Sequence, residues 1–405
     1  MVSALIVVFI SLALAYVLGE ISRKIGLPRV IGQLSAGFVL NIPIIRNYVF
    51  AGNLEFFSFL ANLGIVLLFY YIGLETNIRV FTKNIKLPVM ISLFNTLLPA
   101  IIGFFVVRLF FGLSTLTSLV VGISLGISAL TVSLDMLEEL KLLKSRLGRL
   151  MISSGAVDDI VELFLIAIFF SIFNVFGNGN NITKILLDIG IFIMIIAVFR
   201  IWVIPLSLKL FDREKSSTAR FTGALLLVLL IASLAEFLGV GLLIGGMVAG
   251  ILVRQTILKE KTIPSWEEHD ISKSIHIISF GFLIPLFFVS VGLNVDFSSF
   301  LQEIWFVFLL TIIAITCTMG GTVIAVLMNR GTFREGFILG WGINPKGDVN
   351  LAVAALALSS GVITKNIYTS LVMMAMFTTI ISAPIFKFLS VKHTYDRDKK
   401  KKGVL

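Results

Sequence analysis

The 405-residue sequence is far more apolar than that of a water-soluble protein of the same length. Hydrophobic residues make up 58% of the chain and charged residues only 14%, whereas soluble domains carry about 25% charged residues. The mean hydropathy of +1.04 argues against a soluble enzyme or nucleic-acid-binding protein, in spite of a formal net charge of +10. The single cysteine, Cys317, excludes a disulfide framework and a thiol-based metal site.

Apolar segments follow one another along the chain, and a membrane-spanning helix needs roughly 20 mostly apolar residues. About thirteen segments are predicted, near residues 2–19, 28–41, 55–75, 86–111, 116–137, 149–175, 184–210, 218–237, 239–254, 274–293, 301–328, 334–361 and 366–390. Gly239 and Gly241 alone divide the eighth segment from the ninth, so twelve or fourteen helices stay open. The predicted fold is an all-α polytopic membrane protein with about thirteen transmembrane helices.

The basic residues predict how the chain is oriented in the membrane. Of the 33 Lys and Arg residues, 27 lie in the connections that follow odd-numbered segments or in the C-terminal segment. Because positive residues accumulate on the cytoplasmic side, we expect an outside N-terminus and a basic cytoplasmic tail over residues 391–405. The expected location is the plasma membrane, where clustered lysines also contact anionic lipid.

The sixth segment carries carboxylates at membrane depth. Asp158 lies about 14 Å along the helix axis from Arg149, close to the bilayer midplane. Asp159 points about 100° away, while Glu162 is one turn after Asp158 and on its face. Buried carboxylates this close cannot all ionise unaided, and a bound cation can replace the proton. This competition is the physical basis of ion exchange; a neutral helix–helix contact is the structural alternative.

Two other segments are interrupted at membrane depth. Segment five contains Gly122, Gly126 and several hydroxyl residues, and segment twelve contains Asn344-Pro345-Lys346-Gly347-Asp348. Such helices unwind and turn carbonyls and hydroxyls toward an ion, and matched breaks in two halves predict inverted repeats that cross at a binding site. Lys346 and Asp348 form either a structural ion pair or part of a gate.

These residues together resemble the monovalent cation:proton antiporters, in particular the NapA-like Na+/H+ antiporters and the Kef-like systems. The resemblance covers nearly the whole chain, and the stretch Ser153–Asp159, which resembles an Ala-x-x-Asp-Asp ion-site motif, is its most specific part. The other matching stretches are Leu27–Gly37, Leu63–Glu75, Phe287–Leu293 and Lys346–Asp348, the last where relatives usually have Arg-Gly-Glu.

The resemblance implies a binding site for Na+ at Asp158, Asp159 and Ser128, with Thr131 as a further hydroxyl. Asp159 matches the aspartate taken as the essential carrier. The resemblance also implies a NhaA/NapA-like homodimer that works by an elevator motion. The implied ion-translocating core covers about 86–175 and 301–390, and the dimerisation scaffold covers about 1–75 and 184–293.

Two positions depart from the pattern of the family. Relatives with an aspartate pair often place a lysine in segment eleven, in a Lys-x-x-Gly motif, but this chain has Thr318. We therefore expect Asp158 to be protonated more readily, which leaves the charge moved per cycle open. Glu162 adds a carboxylate, either as a proton relay or as a second protonated group.

The leading hypothesis is a secondary antiporter that exchanges Na+ or Li+ for H+, with no cofactor and no enzymatic activity. Its expected partners are the cation, the proton, the lipid bilayer and a second copy of the chain, without nucleic acid. A K+/H+ antiporter or K+ efflux system of Kef type is the alternative, and a membrane sensor without transport is a more distant one.

Overall fold

The computed structural model of the protein describes residues 3–75, 85–176, 182–203, 217–257 and 270–401. These residues form eighteen α-helices and no β-strand. The helices are α1 Ala4–Lys24, α2 Arg29–Leu40, α3 Pro43–Val49, α4 Leu54–Glu75, α5 Lys86–Phe110, α6 Thr115–Gly126, α7 Leu130–Glu139, α8 Arg146–Phe176, α9 Ile182–Val198, α10 Ser217–Phe237, α11 Leu242–Ile257, α12 Asp270–Ile278, α13 Ile284–Leu293, α14 Phe297–Gln302, α15 Ile304–Met328, α16 Phe333–Ile343, α17 Asp348–Ser359 and α18 Lys365–Lys401.

Many of these helices are long and apolar enough to cross a membrane. The described residues contain seven such spans and five shorter apolar helices. The predicted all-α membrane architecture is therefore confirmed, whereas the number of thirteen transmembrane helices and the inverted repeats stay predictions. Part of the seventh predicted segment, residues 204–210, lies outside the described residues.

Local sequence explains where several helices begin and end. The Ser114 side chain accepts a hydrogen bond from the Thr117 amide at 3.1 Å and caps α6. Thr332 caps α16 in the same way through the Glu335 amide. The short helix α3, which the sequence analysis did not predict, begins with Pro43 in its first turn, a position that needs no amide donor.

The chain folds into two compact units. The first unit comprises Met1–Ala13, Ile42–Asn77 and Leu163–Ser290, and the second comprises Leu14–Asn41, Ile78–Glu162 and Val291–Leu405. Within the first unit, α4 packs against α11 through glycines on both helices: Gly73 faces the Met247 carbonyl and Gly250 faces the Tyr70 carbonyl. Arg254 closes this contact by donating to the Leu74 carbonyl at 2.6 Å.

The second unit contains the residues of the predicted ion site. Its helix α5 packs against α6 and α15, and α15 packs against α16 and α18. Glycines again allow the close approach: a Cβ on Gly122 would lie 2.5 Å from the Ala100 carbonyl oxygen. A Cβ on Gly126 would lie 2.5 Å from the Thr96 carbonyl oxygen. The backbones of α5 and α6 are therefore nearly in contact where the site lies.

Both predicted helix interruptions are present in this unit. The first separates α6 from α7 at residues 127–129, where Ile127 and Ala129 have extended backbone conformations. The second separates α16 from α17 at residues 344–347, where Pro345 has no amide to donate. The two breaks meet directly, because the Ala129 amide donates to the Pro345 carbonyl at 2.9 Å.

Side chains satisfy backbone groups that these breaks release. Ser133 donates to the Gly342 carbonyl at 2.7 Å, and Thr379 of α18 donates to the Lys346 carbonyl at 2.6 Å. Non-helical backbone is tolerated at membrane depth only where such partners exist or where it lines a cavity. The meeting of the breaks is thus a fixed, hydrogen-bonded part of the second unit.

Candidate functional site

Asp158 lies at the centre of the site and is only 2% exposed. One carboxylate oxygen, Oδ1, accepts a hydrogen bond from the Thr96 hydroxyl at 3.0 Å. The other, Oδ2, accepts from the Ser128 hydroxyl at 3.2 Å and from the Asn95 amide group at 3.3 Å. Three neutral donors, two from helix α5 and one from the first helix break, thus surround a buried carboxylate, a setting that can hold either a proton or a small cation.

The positions of these donors follow from the packing of α5 and α6. Gly126 allows α6 to approach the Thr96 carbonyl, and the chain then leaves the helix at Ile127. This brings Ser128 opposite the polar face of α5 with its hydroxyl on Asp158. The interruption that the sequence predicts therefore delivers the predicted hydroxyl of Ser128 to the predicted carboxylate.

Asp159 is also buried, on the next face of α8. Adjacent helical residues point about 100° apart, so the two aspartates present their carboxylates to different neighbours. The aspartate pair therefore places two carboxylates within one helical turn in a part of the second unit from which water is largely excluded.

Glu162 adds a third buried carboxylate, 3% exposed, one turn after Asp158. Its Oε1 atom accepts a hydrogen bond from the Ser128 backbone amide at 2.9 Å. Ser128 thus joins the two carboxylates, with its hydroxyl on Asp158 and its amide on Glu162. Glu162 consequently helps to hold the first break open, a role that the sequence analysis did not foresee.

Thr131 and Asp348 are bonded to each other. The Thr131 hydroxyl donates to Asp348 Oδ2 at 2.7 Å and so links α7 to the start of α17. The structure therefore does not bring Thr131 to Asp158, as the resemblance implied. The physical reason is the break itself, since extended backbone at residues 127–129 changes the direction of the side chains that follow.

Lys346 is almost completely buried, 1% exposed, in the second break. Its ammonium makes no hydrogen bond to any residue that the structure describes, and Asp348 is bonded by Thr131 instead. The Lys346–Asp348 ion pair considered from the sequence is not observed. Lys346 follows directly on Pro345, whose carbonyl accepts the Ala129 amide of the first break.

The sequence analysis missed two residues of the site, Asn95 and Thr96. Both are fully buried in α5, and both donate to Asp158. A signal was present: Ser92, Asn95 and Thr96 form an i, i+3, i+4 polar face in an otherwise apolar helix. Thr318, at the position of the absent family lysine, is buried in α15.

Comparisons with known proteins match the chain over most of its length. The family profile described as "Sodium/hydrogen exchanger, transmembrane" matches residues 8–392. The Na+/H+-K+ antiporter GerN of Bacillus cereus is 28% identical over 370 residues, which cover 91% of this chain and 92% of the relative. An Na+/H+ antiporter of Enterococcus hirae is 27% identical over 376 residues, with 92% and 94% covered.

A solved structure shows the same fold at lower sequence identity. The sodium proton antiporter MjNhaP1 from Methanocaldococcus jannaschii superposes with a TM-score of 0.66 at 15% identity, covering 96% of this chain and 98% of that chain. The profile match extends over most of the sequence, and the described residues contain seven helical spans that are long and apolar enough to cross a membrane. The chain therefore belongs to the sodium/hydrogen exchanger family and is a multi-pass membrane protein.

Proposed function

We propose that the protein is a secondary antiporter that exchanges Na+ or Li+ for H+, with the cation and the proton competing for Asp158 and Asp159. The observation that carries this proposal is the buried Asp158 carboxylate with its three neutral donors at a helix break. Keeping such a carboxylate charged inside a membrane is energetically unfavourable. A bound proton or a bound cation neutralises the charge, so a site that alternates between the two avoids an uncompensated charge in both states.

The oxygen atoms around Asp158 suit a small monovalent cation. The Ser128 and Thr96 hydroxyls each accept as well as donate, and the Asn95 side-chain carbonyl oxygen is buried with no hydrogen-bond donor among the described residues. Together with the Asp158 carboxylate they offer the hard oxygen ligands that such cations prefer. We propose these residues, with Asp159, as the Na+ site.

We propose that a cavity in the second unit is part of the route toward this site. It has a volume of about 510 Å³ and is lined by three carboxylates, Asp135, Glu138 and Glu139, and by four basic side chains. Asp135 lies one turn after Thr131 on α7, and Thr131 is bonded to Asp348 at the meeting of the breaks. We propose that the cation reaches the site past Asp135, from the cytoplasmic side that the basic residues indicate.

Alternating access requires one part of the protein to move against another. We propose an elevator motion of an ion-translocating core over about 86–175 and 301–390 against a dimerisation scaffold over about 1–75 and 184–293, with the protein acting as a homodimer. Within the scaffold, α4 and α11 pack closely through glycines. A cross-linking and mass measurement of the purified protein in detergent tests the homodimer.

K+ is the second candidate cation. The name of the Bacillus cereus relative includes K+ beside Na+, and the described residues around Asp158 contain no feature that excludes the larger ion. A protein without transport is the other alternative. One transport assay separates the three hypotheses, because Na+/H+ exchange, K+/H+ exchange and the absence of transport each predict a different cation dependence.

The test measures proton flux in proteoliposomes that carry an imposed pH gradient. We expect Na+ and Li+ to dissipate the gradient in the wild-type protein, and Asp159→Asn to abolish this response. A response to K+ as strong as to Na+ would favour the alternative cation. An Asp159→Asn variant that still exchanges cations for protons would contradict the proposal.

A further inference from the structure

Helix α8 carries a third carboxylate beside the aspartate pair. Glu162 lies one turn after Asp158, and its side chain is only 3% exposed. Residues four positions apart on a helix are neighbours, with Cβ atoms about 5–6 Å apart. Among the residues whose burial the structure describes, Glu162 is the one buried glutamate. A negative charge on Glu162 therefore lies close to Asp158, in surroundings that screen it poorly.

Ser128 connects these two carboxylates. Its backbone amide donates to Glu162 Oε1 at 2.9 Å, and its hydroxyl donates to Asp158 Oδ2 at 3.2 Å. One residue of the first helix break thus contacts both side chains, so both carboxylates face that break. Glu162 is therefore placed beside the proposed cation site, while the hydroxyl that serves as a cation ligand is directed to Asp158.

The surroundings of Glu162 act on its protonation in both directions. Burial and the neighbouring Asp158 and Asp159 carboxylates favour the neutral form. The hydrogen bond from the Ser128 amide favours the charged form. With influences of both signs, Glu162 holds a proton at low pH and loses it as the pH rises.

The second helix break brings two more ionisable groups to the crossing of the breaks. Lys346 and Asp348 are both buried there, and they contribute one charge of each sign. Both groups stay in place when Glu162 alone is replaced. A comparison of variants at position 162 therefore isolates the charge of this one carboxylate.

We propose that Glu162 is a further titrating group that controls the affinity of the cation site. When Glu162 is protonated, it adds no charge, and the aspartate pair binds the cation without its help. When Glu162 is ionised, its negative charge strengthens the attraction between the site and the cation. This gain in affinity is present above the pH at which Glu162 titrates and is lost as the pH falls through that value.

The same coupling acts in the opposite direction. Because linkage between two binding sites is reciprocal, a cation at Asp158 promotes the loss of the proton from Glu162. The affinity for Na+ then rises with pH over a wider range than proton competition at the aspartates produces. This inference rests on the proposed exchange function and adds a control on the affinity of the same site.

The first test compares Glu162→Gln with the wild-type protein at several pH values, using proton flux in proteoliposomes to obtain the KM for Na+. The two KM values should be equal at low pH, where Glu162 is neutral in the wild type. At high pH the KM of Glu162→Gln should be about tenfold or more above the wild-type value, because a unit charge is missing one helical turn from Asp158.

Two control variants accompany this comparison. Glu162→Asp keeps a carboxylate and should keep a KM that falls with pH as in the wild type. Glu55→Gln makes the same substitution at an exposed glutamate of α4, and its KM should match the wild-type value at every pH.

The outcomes separate the inference from the function on which it rests. A wild-type protein without Na+-dependent proton flux would refute the proposed function. If the wild type exchanges Na+ for protons but the ratio of the two KM values is the same at every pH, Glu162 acts through the structure alone and the inference is overturned.

The second test uses the wild-type protein and does not depend on how well the variants fold. Infrared difference spectroscopy of protein that contains isotopically labelled glutamate distinguishes a protonated glutamate from protonated aspartates. We expect a labelled band of a protonated carboxyl group that weakens when Na+ is added at a fixed pH. A labelled spectrum that does not respond to Na+ at any pH would overturn the inference.

Discussion

Glu162 offers a prediction in which the structure separates charge from hydrogen bonding. Its Oε1 atom is the acceptor at 2.9 Å for the Ser128 amide in the first helix break. Glu162→Gln removes the charge but keeps an acceptor oxygen, whereas Glu162→Met removes both the charge and the acceptor. Because the two variants share the loss of charge, the difference between them isolates the hydrogen bond.

The expected size of this difference follows from the burial of the amide. A buried donor left without a partner costs about 1–3 kcal/mol, and Ser128 is largely buried in a break that has no helical carbonyl to replace Glu162. We therefore expect the free energy of unfolding of Glu162→Met to lie about 1–3 kcal/mol below that of Glu162→Gln. The looser break should also expose the backbone of residues 127–129.

Two measurements check this expectation on purified protein in detergent. Denaturant titration followed by tryptophan fluorescence gives the stability of both variants, and hydrogen–deuterium exchange gives the protection of peptides that contain Ser128. Faster exchange at the break in Glu162→Met than in Glu162→Gln is the expected local effect. Equal stability and equal exchange in the two variants would show that Glu162 does not hold the break.

Three further expectations concern the surroundings of Asp158. Ser128→Ala should raise the KM for Na+ by roughly tenfold or more, because it removes one of the proposed oxygen ligands of the cation, whereas Thr131→Val should leave that KM unchanged in the same flux assay. Gly126→Val should lower the melting temperature and the Na+ affinity together, since its new Cβ would lie 2.5 Å from the Thr96 carbonyl oxygen; a variant with normal values of both would contradict the packing argument. Asp135→Asn should raise the KM for Na+ without lowering kcat, because it removes a negative charge from the lining of the proposed entry cavity, and an unchanged KM would remove this cavity from the route.

The membrane class and the site carboxylates could be predicted from the sequence because their signals are strong. A chain with 58% hydrophobic residues has few alternatives to a helical membrane protein, and buried aspartates in such helices are rare enough to indicate function. The two helix breaks were also predictable, since glycine, serine and proline interrupt apolar runs. The role of Ser128 beside Asp158 was implied by the family resemblance, and the structure places its hydroxyl 3.2 Å from Asp158 Oδ2.

Other parts of the site depended on geometry that spacing does not contain. Helical periodicity places Ser128 and Thr131 on one face, but the extended backbone between them breaks that relation, and Thr131 meets Asp348 instead. Asn95 and Thr96 were overlooked because a short polar face in a long apolar helix does not reveal which neighbour it contacts until the packing is known. The position of Lys346 next to the first break depends on how the two breaks meet, which no local pattern encodes.

The most direct test of the account is a count of the protons that Na+ displaces from the purified protein. Isothermal titration with Na+ in buffers of different ionisation enthalpy measures this number. The account predicts release of at least one proton for each Na+ bound and weaker Na+ binding as the pH falls, with both effects lost in the Asp158→Asn/Asp159→Asn variant. Na+ binding that releases no proton at any pH, or that persists in the double variant, would contradict the claim that cation and proton share the aspartate pair.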